Sequence, residues 1–301
     1  MLFRSRLYLV PPLLTPLARS LTCLKAAIVV VGTVIFVGPV IGATPQRAVP
    51  TDRPVNYEAF GAVGDGVTDD LPAIVEAHAF ANTHGLAVKT KPDATYHLGR
   101  RALTAVIATD TDWSTSKFIV DDTDVENHRV SIFVVRSLLE PVTLPIKRLT
   151  RDQRQLDVRP QRDCWVRVED NRKRLYIRRG LNQNNGTAQR DCFILRRDGT
   201  IEGAIDWEYD AITRVEAHPV EERPLVVKGG VFTTTANRMK ADKGYNYWSR
   251  NISITRSNTV VEGLTHHIIG ETENGHPYDG FLAAKSCANV TLRDCIVTNR
   301  K

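Results

Sequence analysis

The sequence predicts an all-β fold of short stacked strands, preceded by one helix near its N-terminal end. Three observations predict it. A single amphipathic helical pattern, over about 69–84, is followed by short strand-like segments. Two Asn-led alternating segments, Asn251-Ile-Ser-Ile-Thr-Arg and Asn289-Val-Thr-Leu-Arg-Asp, align position by position 38 residues apart, as rungs of a stack would. Between them and the helix, Asn185-Gly186 and Asp198-Gly199 separate alternating runs, a strong short-range hairpin signal. Composition agrees: 42% of the 301 residues are apolar and 25% charged, which excludes general disorder, collagen and a multi-span membrane protein. Five cysteines are too few for a disulfide scaffold, so apolar burial must hold the fold.

Taken in chain order, residues 1–43 carry Arg4, Arg6, Arg19 and Lys25 and no acid, which is +4 of the formal +6. They end in the uncharged run Ala26–Ala43, the pattern of a secretory signal peptide cleaved after Ala43 or of an uncleaved membrane anchor. Either reading places the protein outside the cytoplasm: secreted, periplasmic or at the cell surface. Residues 44–55 read as a Pro-rich linker. From Asn56 to Gly99 comes a cap: a glycine-rich segment, then a helix with Leu71, Ile74, Val75, His78 and Ala79 on one face. Asp69 or Asp70 starts that helix, Pro72 lies in its first turn and Gly85 stops it. Leu86–Lys89 and Thr95–Leu98 follow as strands. Residues 100–224 form a strand-rich, Arg-rich region, with strands at Phe118–Val120, Ser131–Val135, Trp165–Val168, Arg174–Ile177 and Asp191–Leu195. They are read as an irregular or antiparallel insertion. Residues 225–301 hold rungs at 226–233, 251–256 and 289–294, the last ending without a capping segment, which predicts a truncated stack. Cys164, Cys192, Cys287 and Cys295 allow three pairings, 164–192 with 287–295 being the most local, or serve as small buried thiols.

The run from Phe60 to Ile74, F-G-A-V-G-D-G-V-T-D-D-x-x-A-I, resembles the N-terminal signature of pectate-lyase-superfamily right-handed parallel β-helix proteins. That group includes polygalacturonase-like hydrolases, polysaccharide lyases and phage tailspikes. The resemblance covers residues 56–99 and implies a β-helix whose open end the helix caps, acting on polysaccharide. The N-T-D, G-H-G and R-I-K patterns of the polygalacturonase-like hydrolases are absent, so no catalytic residue carries over.

Candidate chemistry therefore rests on the residues themselves. Lys147–Gly180 holds twelve Lys or Arg, Arg178 and Arg179 among them, against five acids. It suits an anionic polysaccharide, or, less readily in an exported chain, nucleic acid; the plainer reading is a solvated strand surface with cross-strand ion pairs. Asp206, Glu208 and Asp210 would share one edge of an extended segment, suiting Ca²⁺ or an acid/base pair, or simply facing solvent. Lys243 and Arg250, with Tyr245, Tyr247 and Trp248, suit a sugar-binding wall, and His266-His267 places at most one imidazole in any groove. The expected protein is an exported polysaccharide lyase or glycosidase acting on uronate-type polymers, or a non-catalytic glycan-binding adhesin. As a lyase, Ca²⁺ on the three carboxylates would neutralise the uronate while Lys243 or Arg250 takes the proton, with His266 as a further candidate.

Overall fold

The computed structural model describes residues 53–121, 123–175, 186–235, 249–270 and 279–298. The leader and the expected site residues Arg178, Arg179, Lys243, Tyr245, Tyr247 and Trp248 lie outside them. Among the described residues, no helix is long and apolar enough to cross a membrane.

Among the described residues pairing begins at Val55, one residue before the expected cap: Val55 bridges Val88 and is buried. After a 3-10 turn at Glu58–Phe60 come β1 (Asp65–Asp69) and α1 (Leu71–His84). Burial of Leu71, Ile74, Ala77, His78 and Ala81 sets the inner face of α1. That face is rotated from the sequence reading, with Ala79 exposed, because the helix packs chiefly on the strand at 105–107. Asp70 occupies the N-cap position without a side-chain cap bond. Its buried carboxylate instead accepts the N–H groups of Val63, Gly64 and His97, while Asp69 accepts those of Leu71 and Gly99. The two acids therefore tie the glycine-rich segment to the first coil.

Three parallel sheets follow, visited in a fixed cyclic order. Sheet A holds β2 (Val88–Lys89), β5 (Thr111–Asp112), β12 (Leu225–Lys228), β15 (Thr259–Glu262) and β18 (Val290–Arg293). Sheet B holds β1, β3 (Thr95–Leu98), β6 (Lys117–Asp121), β13 (Val231–Thr235), β16 (Thr265–Ile269) and β19 (Ile296–Val297). Sheet C holds β4 (Ala105–Ile107), β7 (Phe133–Val135), β14 (Ile252–Ile254) and β17 (Leu282–Ala284). Each circuit adds one strand to each sheet, and every neighbouring pair in the three sheets is parallel.

This topology corrects the expected register. Segment 226–233 is two strands, β12 and β13, because the chain turns at Gly229-Gly230, both with positive φ. A Cβ on Gly229 would lie 2.5 Å from the Ser114 carbonyl oxygen, so only glycine fits this corner. Segments 251–256 and 289–294 are not stacking neighbours: β14 lies in sheet C between β7 and β17, whereas β18 lies in sheet A against β15. The repeat partner of Asn289 is Asn258, 31 residues earlier. Both are left-handed at the turn from sheet C to sheet A, and the Asn289 amide donates to the Asn258 amide oxygen at 3.0 Å. Asn251 stands at the other long turn, with its amide on the Gly280 carbonyl.

Side chains in register hold the coils together. Inside sheet B, Tyr96, Phe118, Phe232 and His266 occupy one row. Phe118 and Phe232 stack at 4.5 Å and 9°, and His266 stacks on Phe281 at 3.7 Å and 3°. Outside sheet A the row reads Lys89, Asp112, Lys228, Glu262, Arg293, an alternation of sign from coil to coil. Lys228 lies 3.4 Å from Asp112, and the Arg293 Nε donates to Glu262 at 2.7 Å. A slip of one coil would place like charges side by side, so the row favours this stacking.

Between β7 and β12 the chain leaves the stack to build an antiparallel sheet. Its order is β10 (Ile201–Glu202), β9 (Thr187–Leu195), β8 (Cys164–Leu175), β11 (Arg214–Pro219), over its own core of Val166, Val168, Phe193, Leu195 and Tyr209. The expected strand 165–168 and the described start of the expected strand 174–177, Arg174 and Leu175, are one strand, β8, irregular between Asp170 and Arg174. Cys164 points into this core while Cys192 stands opposite Arg167 on the outer face, so the two cannot bridge; all four cysteines described are free thiols. Arg256, buried at the neck of the insertion, donates to the carbonyls of Ser257, Asn258 and Arg223 and sits 3.7 Å from Glu221. Arg256→Ala is expected to destabilise the protein by about 3 kcal/mol, because the Ser257 and Arg223 carbonyls lose their guanidinium donor and Glu221 loses its neighbouring cation. Urea unfolding, with proteolysis of the insertion as a second readout, checks this.

Candidate functional site

The outward face of sheet B mixes polar side chains with the apolar Ile119, Val231 and Ile269. Alternation along the strands turns Thr95 and His97, then Lys117, Ile119 and Asp121, then Thr233 and Thr235, then Thr265 and His267, away from the core. Register places His97, Ile119, Thr233 and His267 in one row across four coils. The strand spacing repeats that row every ~4.8 Å. His97 Nε2 lies 3.9 Å from a carboxylate oxygen of Asp121, both partly exposed, and Asp121 accepts the backbone N–H and hydroxyl of Thr123. His267 Nδ1 lies 3.4 Å from the Thr298 hydroxyl.

The two borders of this face differ. The turns from sheet A into sheet B are short, as at Gly229-Gly230 and Gly263-Leu264. The links from sheet B to sheet C are long, spanning 122–132, 236–251 and 270–281. In sequence, Lys243, Tyr245, Tyr247 and Trp248 fall between β13 and β14, outside the described residues. Loops on a rigid scaffold are where recognition residues concentrate. The sequence signal for His97 and Asp121 was only a polar residue in each of two alternating strands. Their meeting depends on coil register.

Several expected site residues are placed elsewhere. Arg250 is not exposed at all: its guanidinium donates to the carbonyls of Gly99 and Arg101, linking two coils from inside. His266 is 1% exposed, bonds the Thr234 hydroxyl at 3.0 Å, and is held neutral by burial, its pKa pushed down to about 4. Neither reaches a ligand on the surface, and both are corrected to core residues. Asp206, Glu208 and Asp210 lie on the insertion. Glu208 accepts the Arg151 N–H and Asp210 pairs with Lys173 at 3.3 Å. Among the described residues, no three His, Cys, Asp or Glu side chains stand together as a metal would need. The expected calcium trio therefore does not converge.

The described part of the Arg-rich stretch is tied up in ion pairs on the insertion: Arg167 binds Glu216 across strands at 2.5 Å and Glu169 on its own strand at 3.3 Å, and Asp163 binds Arg196 from beyond the stretch at 2.7 Å. Burial opposes ionisation of Glu216, but its bond from His218 and the charges of Arg167 and Arg214 hold its pKa below the usual carboxylate range.

No protein-family model matches the chain, and no curated protein sequence matches it. Among solved structures it is similar to the tailspike protein gp49 from Pseudomonas phage LKA1, at 13% identity and a TM-score of 0.42, over 80% of this chain and 46% of that one. It is also similar to PfbA, a surface adhesin of Streptococcus pneumoniae, at 13% identity and a TM-score of 0.34, over 82% of this chain and 40% of that one. The chain thus spans less than half the length of either protein.

Proposed function

We propose that this chain is an exported right-handed parallel β-helix protein that binds an acidic polysaccharide along the outward face of sheet B. The observation that carries the proposal is the register-aligned row His97–Ile119–Thr233–His267. An extended polymer lying across the strands meets an equivalent position at every coil. Lys117, His97 and His267 supply cations or donors to its carboxylates, and the threonines supply hydroxyls. Right-handedness is supported by the general hand of parallel crossover connections. Export is supported by the basic then apolar leader.

Thr233→Glu puts a like charge in the middle of the row. It is expected to weaken binding of a uronate polymer at least tenfold, about 1.4 kcal/mol. Affinity electrophoresis against uronate polymers, sulfated glycans and oligonucleotides reads this out. Retention by oligonucleotides alone, or a Thr233→Glu chain that binds as the parent does, would sink the proposal.

A catalytic version of the reading is favoured by one observation, the His97–Asp121 pair. An imidazole close to a carboxylate is a candidate general acid or base. Unsaturated products absorbing in the ultraviolet would make the protein a lyase, reducing ends without them a hydrolase. If His97→Ala retains that turnover, the catalytic version is wrong.

A further inference from the structure

The outward face of sheet A carries two rows of side chains that run from coil to coil. One is the charged row Lys89, Asp112, Lys228, Glu262, Arg293. The other, two residues earlier on each strand, holds Val226, Val260 and Thr291 in register. Asp110, one residue before β5, stands beside Val226; its carboxylate accepts the Val226 N–H at 2.9 Å and the Arg223 guanidinium at 3.0 Å. The face is open to solvent. The side chains of Lys228 and Arg293 are 49% and 59% exposed, and a groove of about 370 Å³ is lined there by Pro54, Val226, Lys228 and Glu262.

Neighbouring coils hold the charged heads in order. Lys228 lies 3.4 Å from Asp112, and the Arg293 Nε donates to Glu262 at 2.7 Å. Beyond Lys89 the row is therefore two ion pairs laid end to end, with signs minus, plus, minus, plus at a spacing of about 4.8 Å. The same row running the other way complements it. About a twofold axis midway between β12 and β15, Lys228 faces Glu262 of the partner, and Asp112 faces Arg293 of the partner. With the coils parallel, every charge would meet its own copy. With an antiparallel axis lying on a coil, every charge would again meet a like charge.

The second row chooses among the axes that fall between coils. Between β12 and β15, Val226 meets Val260 of the partner and the Asp110 carboxylate meets the hydroxyl of the partner's Thr291. Between β5 and β12, Val226 would meet a carboxylate, which an apolar side chain cannot solvate. Axes nearer either end leave fewer coils in contact.

We propose that sheet A is a self-docking face, on which two copies of this chain pack with their coils antiparallel and the axis between β12 and β15. The contact uses two outward residues on each of four coils, well below the roughly 20–30 residues a side of a standard interface. The pair is therefore weak, with a Kd between about 1 µM and 1 mM, and it depends on charge. Sheet B stays outside the contact, so the inference stands whether or not that face binds polymer.

The test is analytical ultracentrifugation of the full chain. The parent should associate reversibly, and raising salt from about 50 to about 500 mM should weaken association severalfold by screening the charged contacts. Lys228→Glu and Glu262→Lys each set two like-charge contacts across the axis, and each should weaken association at least tenfold. Mixed in equal amounts, the two variants should associate as the parent does, because each then faces its opposite. Mixing repairs the interface and not the disturbed row within each chain, so a purely structural effect would not be rescued. The sheet-B variant Thr233→Glu should associate as the parent does. A parent that stays monomeric to about 1 mM, association indifferent to salt or to both substitutions, or a mixture that stays monomeric would each overturn the proposal. Heparin or polylysine shifting the NMR signals of Lys228 and Glu262 in a chain that remains monomeric would give the face to a charged polymer, and overturn it equally.

Discussion

Phe232→Ala is expected to destabilise the protein by about 3–5 kcal/mol, the cost of emptying a large aromatic site in a packed core. Phe232 is fully buried and touches residues from several coils: Phe118 stacked at 4.5 Å, Trp113 at 5.1 Å, Phe281 at 5.2 Å. Those partners are rings held in register by the backbone ladders of parallel sheets, so the cavity cannot close by moving one side chain. Thr233, the next residue, points outward, and Thr233→Ala should stay within ~0.5 kcal/mol of the parent. Urea unfolding of the two variants side by side measures the difference. Equal midpoints would show that the internal aromatic row does not hold the coils together.

Acid should unfold the protein through its interior histidines. His78 lies under α1, bonded to the Tyr57 hydroxyl at 2.9 Å, and burial pushes its pKa down to about 3. For His266, burial is again the main cause and the neighbouring His267 adds to it, giving about 4. In the unfolded chain both take protons near pH 6.5. The unfolded state therefore binds more protons than the folded one below that pH, and stability falls as pH falls. Between about pH 6 and 4 the two sites together should cost about 3 kcal/mol per pH unit; below about 4 only His78 continues to contribute. His266→Phe keeps a ring against Phe281 and removes one titration, so the loss per pH unit over that window should halve. Thermal midpoints from pH 7 to 4 check this, and a slope identical to the parent's would show that His266 does not titrate on unfolding.

Parts of this architecture are legible because their causes are local. α1 is bounded by Asp70, Pro72 and a left-handed Gly85, three features set by single residues and their neighbours. The Asp198-Gly199 turn is equally local, joining β9 to β10 across a positive-φ glycine. The site was less legible. Arg250 and His266 have side chains suited to chemistry, yet 0% and 1% exposure make them a cross-coil strut and a member of an aromatic row. His97 and Asp121 drew no attention as a pair, because 24 residues of chain separate them and only the β3–β6 register brings them to 3.9 Å.

By itself the sequence determined the strand-rich class, the helix that opens the fold, the turn residues and the places where the chain can bend, because each follows from backbone preferences over a few residues. Tertiary structure decided which strands are neighbours. Asn251 and Asn289 introduce equally plausible strands, but stacking pairs Asn289 with Asn258, since only at that turn do both asparagines take left-handed backbone and bond across coils. Tertiary structure also decided which polar side chains face outward. A strand of a parallel coil has one inner and one outer face, and which residues fall on each depends on where the preceding corner turns.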